Sequence, residues 1–153
     1  MLYVQFSIDN NRYLVATDQV ITLMPVVEIH GAEQVTDWFP GCINFKGEWV
    51  PVIDVVQILG NRPARLRLST RIILVRLHGN ERQLQKAGLL VEKVAELVRL
   101  EDSSFSGIKP ELQENPGLDA LAIDEYGTLQ RVQAGALISD LAPVLLNCNG
   151  LTH

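Results

Sequence analysis

Histidine, cysteine, serine and carboxylate side chains could carry acid–base, nucleophilic or metal chemistry, but in this chain their spacing assembles none of it. His30, His78 and His153 lack a second histidine, a cysteine or an acid at the spacing of a zinc site or a base–nucleophile pair. Ser103, Ser104 and Ser106 share a polar stretch without a nucleophile elbow, and the chain has neither a glycine-rich phosphate loop nor a dinucleotide fingerprint. Asp9 and Asp54 each have a sufficient structural use, one in a turn and one as a helix cap. Cys42 and Cys148 lie far apart and form no C-x-x-C pair, so they are read as reduced thiols of a cytosolic protein. No catalytic residue, cofactor or metal is expected.

What remains is the chemistry of recognition. Lys46 sits in a glycine-containing turn, where a lysine has no core to stabilise. Arg62, Arg65, Arg67 and Arg71 follow one another without an intervening acid, whereas residues 101–119 carry Glu101, Asp102, Glu111, Glu114 and Asp119 against Lys109. The run Arg62–Arg71 is either a docking patch for an anionic partner, such as the acidic face of a kinase domain or nucleic acid, or a solvated connection. Nucleic acid is not the expected partner: the 153 residues carry a net charge of −5, and aromatics, at 6 %, are too few for a stacking surface. A small-barrel enzyme would need a convergent acid, base or metal site that the sequence does not display.

The elements that must position these residues are short strands. Leu2, Val4, Phe6 and Ile8 alternate with polar neighbours, Asp9-Asn10-Asn11 supplies a turn, and Tyr13–Ala16 resumes the pattern, so residues 2–17 form a hairpin. A third strand is expected at Val20–Met24, with Pro25 limiting its ladder. Cys42–Phe45 and Trp49–Ile53 flank Lys46-Gly47-Glu48 as a second hairpin. Asp54 caps a short helix carrying Val55, Ile58 and Leu59, which Gly60 ends in the left-handed position. Five more strands are expected at 72–77, 87–91, 94–100, 121–124 and 128–132, and a terminal helix at 134–141 stopped by Pro143. Apolar residues at 47 % and charged residues at 20 % give a foldable core in one domain over residues 1–145, with a tail at 146–153. No apolar run is long enough to span a membrane and no cleavable leader is seen, so the protein is expected to be cytoplasmic, without membrane insertion.

The stretch from Trp38 to Asp54 resembles the signature of CheW-like adaptor domains, in which a proline–aromatic approach leads to G-x-(I/V)-N-(L/Y)-R-G and then (V/I)-P-(V/I)-(I/L)-D. Gly41, Asn44, Gly47, Pro51, Val52, Ile53 and Asp54 match it. Phe6-Ser7-Ile8 with Tyr13–Val15 and Val20-Ile21, then Ala87–Val94, then Asp124–Leu129 with Leu137-Ile138 resemble further segments of the family in the right order, from residue 2 to about 142. The resemblance implies an all-β fold with minor helix, built as two packed SH3-like five-stranded barrels. It also implies a non-enzymatic adaptor joining the cytoplasmic tip of a methyl-accepting receptor to the regulatory domain of a CheA-type histidine kinase.

On this resemblance the partner-binding residues are Val20 and Thr22 on the third strand, Asn44, Lys46 and Gly47 at the second hairpin, and Val91 and Val94 on a pair of groove-facing strands. Two positions depart from the family. Lys46 stands where the family usually has arginine, keeping the charge but losing the planar fork, and Thr22 stands where it often has an acid. These departures make the chain resemble paralogous adaptors of alternative chemosensory systems, such as Wsp-type surface-sensing arrays, more than the flagellar ones.

Overall fold

The opening alternation becomes β1 (Leu2–Ile8) and β2 (Asn11–Ala16), paired antiparallel around a turn in which Asp9 takes φ 53°. A short polar side chain tolerates that left-handed conformation. The structure is a computed structural model that describes residues 1–31, 36–77, 85–137 and 148. After a 3-10 turn at Thr17–Gln19 come β3 (Val20–Pro25), β4 (Gly41–Phe45), β5 (Glu48–Asp54) and a short α-helix, α1 (Val55–Gly60). The second half supplies β6 (Arg71–Leu77), β7 (Gln85–Val91), β8 (Lys93–Arg99), β9 (Ser106–Gly107), β10 (Leu118–Asp124) and β11 (Gly127–Val132).

These strands form two sheets, ordered β8-β1-β2-β11-β10-β9 and β3-β6-β7-β5-β4. From β8 in one and β3 in the other, the ladders run antiparallel, antiparallel, parallel, antiparallel, so the two sheets repeat one topology. The all-β reading stands, with two units in SH3-like packing, but the ladders are open rather than continuous barrels. In the five-stranded sheet closure rests, among the described residues, on an isolated bridge where the chain leaving β3 returns to the outer edge of β4 at His30 and Cys42. A Cβ on Gly41 would strike the His30 carbonyl, which is why this bridge needs glycine beside it.

The main core joins the sheets. Val4, Phe6, Ile8, Tyr13 and Val15 from one meet Ile53, Ile73, Val75, Leu77, Ala87, Leu89 and Val91 from the other. Burial of that much aliphatic surface is the chief stabilising force, at about 1.5–3 kcal/mol per fully buried large side chain. The chain crosses from one sheet to the other at residues 17–19 and again at Glu92.

Three expectations are corrected. The left-handed residue after α1 is Asn61, with φ 58°, not Gly60; Gly60 is small because a Cβ there would come within 2.9 Å of Ile8 Cγ2. Where a terminal helix is expected, the described part, Ala134–Ala136, is a 3-10 turn with Leu137 buried after it, and residues 138–141 and Pro143 lie outside the described residues. Cys42 and Cys148 are not free thiols: they are joined in a disulfide with their Cα atoms 5.8 Å apart. A sequence separation of 106 residues gives no indication that β4 and Cys148 meet. His78, His153 and the tail 146–153, apart from Cys148, also lie outside the described residues.

Candidate partner-binding site

The second hairpin holds Lys46 outward on a short turn. Phe45 pairs with Glu48 across β4 and β5, leaving Lys46 and Gly47 as a two-residue connection in which both φ angles are positive, 52° and 88°. Such primed turns match the right-handed twist of the flanking strands. Asn44 Oδ1 accepts a hydrogen bond from the Gly47 amide at 2.8 Å and fixes the turn. Asn44 and Gly47 therefore set the geometry, and Lys46 is the exposed tip, its ammonium 5.3 Å from the Phe45 ring centroid. The neighbouring acid, Glu48, is engaged by Lys86 at 2.6 Å. No acid pairs with Lys46 among the described residues, so its charge is left for solvent or a partner.

Val20 and Thr22 lie half-buried on β3, the opposite edge of the same sheet in ladder order, with a bulge between them where β3 pairs with β6. Val20 packs against the main core, while Leu23 next to Thr22 is 44 % exposed. Val91 and Val94 do not form a groove-facing pair. They belong to different sheets, Val91 is fully buried, and Val94 packs half-buried against the same core. In this structure both valines serve packing.

The arginine run divides into engaged and free members. Arg62 grips Glu92 through both terminal nitrogens, Nη1 to Oε2 at 3.0 Å, and reaches Asp9 at 2.8 Å. The Arg65 amide also donates to Glu92, at 2.7 Å. These hydrogen bonds, led by Arg62, hold the Glu92 carboxyl below the usual carboxylate range, and the paired acids raise Arg62 further. They clamp the residue at which the chain changes sheets. Arg71 donates to the Thr70 carbonyl at 2.9 Å. Arg65 and Arg67 are exposed and, with Ser7, Ser69 and Lys93, line a concavity of about 190 Å³.

Sequence reasoning missed these long-range pairs and a larger groove of about 470 Å³ walled by Tyr13, Leu59, Ile108, Leu112 and Leu121. Burial raises the Tyr13 phenol above its ordinary value. The capping of α1 by Asp54 is as expected: its carboxylate accepts from the Gln57 amide at 3.0 Å and from the Ala64 amide at 2.9 Å. Burial nevertheless pushes this carboxyl up, against the pull of those hydrogen bonds. Among the described residues no three His, Cys, Asp or Glu side chains converge as metal ligands, and no helix is long and apolar enough to cross a membrane.

No curated protein sequence matches the chain. Among solved structures it is similar to the scaffolding protein TtCheW from Thermoanaerobacter tengcongensis, with a TM-score of 0.81 and 23 % identity over 95 % of this chain and 92 % of that one. At this identity the likeness speaks for the fold. The family model for the CheW-like domain matches residues 2–142, spanning both sheets, the Lys46 hairpin and the Glu92 crossing. The chain belongs to the CheW-like domain family.

Proposed function

We propose that this protein is a non-enzymatic chemosensory adaptor. It couples the cytoplasmic tip of a methyl-accepting receptor to the regulatory domain of a CheA-type histidine kinase, and it docks through the Lys46 hairpin. The observation that carries the reading is the charge at that hairpin. Lys46 is exposed on a turn fixed by Asn44 and Gly47; Arg12, Arg62, Lys86 and Arg131 are engaged by carboxylates, and of the exposed cations left without one among the described residues, which include Arg65 and Arg67, Lys46 is the one held at the tip of a rigid hairpin. An uncommitted charge on a rigid element selects and steers a partner of opposite charge. Lysine in place of the family's usual arginine makes the contact a single point charge rather than a two-pronged one. Val20 and Thr22, with exposed Leu23, form a second contact strip on β3. In this role the protein needs no cofactor and no membrane insertion, and it reaches receptor arrays on the cytoplasmic side through its partners.

The test is a pull-down of wild type and Lys46→Glu by the regulatory domain of a CheA-type kinase, with a receptor-tip fragment as second bait. Capture of wild type that falls in the variant supports the reading. A folded wild-type protein that binds neither bait overturns it.

A further inference from the structure

We propose that the Cys42–Cys148 disulfide is a redox-responsive staple, opened by a low-molecular-weight thiol and closed by a low-molecular-weight disulfide, whose state sets how tightly the five-stranded sheet closes at His30. The inference concerns the chain's own thiols and is independent of the adaptor reading.

The cystine stands apart from what holds the sheets together. The three other clusters of the core contain no cysteine. Cys42 and Cys148, both essentially inaccessible, form a satellite with Phe39, flanked by Trp38 and Trp49. Opening the bond therefore removes a covalent tie from a local cluster and leaves the shared core in place.

That local cluster includes the closing bridge. Cys42 exchanges both backbone hydrogen bonds with His30, at 2.7 and 2.9 Å, and the His30 ring meets the Trp49 ring edge-on at 4.8 Å. Trp49 in turn pairs with Asn44, the residue that fixes the Lys46 turn. Freeing Cys148 loosens the packing around Cys42, and with it the His30–Cys42 bridge on the outer side of β4.

The chemistry is thiol–disulfide exchange. An external thiolate attacks one cysteine sulfur, the other leaves as a thiolate, and a second external thiol resolves the mixed disulfide. In sum, the protein cystine and two external thiols give two protein thiols and one external disulfide, with two electrons and two protons passing to the protein. Burial of both sulfurs makes exchange slow until the cluster opens.

Of the two tryptophans of the chain, Trp49 packs against this cluster and Trp38 packs against both it and the main core, so intrinsic fluorescence reports on the cluster and on its border with the core. The experiment equilibrates the full chain with mixtures of reduced and oxidised glutathione and follows thiol alkylation by mass, tryptophan emission and far-ultraviolet circular dichroism. Hydrogen exchange at the His30 and Cys42 amides is followed alongside. The expected result is no alkylation and quenched emission at the oxidised end. At the reduced end, two alkylated cysteines, brighter emission and faster exchange at both amides are expected, with the sheet spectrum unchanged. Cys148→Ser is expected to show the bright emission at every ratio. Free thiols persisting in oxidised glutathione, or emission indifferent to reduction, would overturn the proposal. So would a sheet spectrum lost on reduction, because the bond would then be a structural requirement.

Discussion

The β4–β5 and β10–β11 hairpins occupy equivalent places in the two sheets, each carrying the strand that makes its sheet's parallel ladder, yet their turns are built differently. At the first, positive φ falls on Lys46 and Gly47, and a neutral side chain, Asn44, fixes the geometry. At the second, Asp124 accepts from the Tyr126 amide at 2.9 Å, and Gly127 just past the turn takes the positive φ. Asp124 is also gripped by both terminal nitrogens of Arg12, at 2.8 and 2.6 Å, with the Arg12 guanidinium 5.9 Å from the Tyr126 ring centroid. One turn uses ionic bonding to fasten its end of the sheet to β2. The other takes its shape from a neutral hydrogen bond and carries Lys46 outward at its tip, while its fastening to the neighbouring strand is made beside the turn, by Glu48 and Lys86 of β7 at 2.6 Å. The repeated scaffold thus fastens both hairpins by an ion pair and differs at the turn: at β10–β11 the fastening acid also shapes the turn, whereas at β4–β5 it does not, and Lys46 stands at the tip.

The comparison breaks first if the core that supports both hairpins is less shared than it looks. Val91→Ala removes buried methyl groups where the sheets meet and is expected to destabilise the fold by about 2 kcal/mol, measured by urea denaturation. A near-neutral outcome would put Val91 outside the core. Next, Gly47→Val forces a β-branched residue into positive φ and is expected to cost about 1–2 kcal/mol, with loss of binding because Lys46 is re-aimed.

A smaller effect sharpens the β10–β11 end. The Arg12 hydrogen bonds hold the Asp124 carboxyl at about 2, below its ordinary 3.8. The pair's contribution is therefore complete above the ordinary value and is lost as pH falls through the depressed one. Arg12→Ala is expected to cost about 0.5–1 kcal/mol at neutral pH, discounted for partial exposure. The gap from wild type is expected to close on the acid side, and the Asp124 titration, followed by NMR, to return towards its ordinary value. The smallest stability effect belongs to Lys46→Glu, expected within about 0.5 kcal/mol of wild type because no core contact changes.

What the sequence makes legible follows from the range of the forces involved. Alternation in Leu2–Ile8, the glycine turn at Lys46-Gly47 and the Asp54 cap depend on residues a few positions apart, and each appears where expected. β9 is only two residues, held by pairing with Ala120 and Leu121, and has no local signal. Asn61 and Gly60 both tolerate the left-handed position, so the local sequence does not say which takes it, and the close approach of Ile8 that keeps residue 60 small comes from a distant strand. Arg12 finds Asp124 at a separation of 112 residues, and Cys42 finds Cys148 at 106. Those partners are set by how the sheets stack, which periodicity does not encode. Val91 and Val94 show the same limit: their spacing marks strands, but which side faces a neighbour is settled by the second sheet.

The most direct test of the central claim is titration calorimetry of the kinase regulatory domain against wild type, Lys46→Glu and Glu125→Lys, a charge reversal at each of the equivalent turns. The account predicts binding weakened about tenfold by Lys46→Glu and unchanged within about twofold by Glu125→Lys. Equal losses at the two turns, or a loss confined to Glu125→Lys, would contradict it.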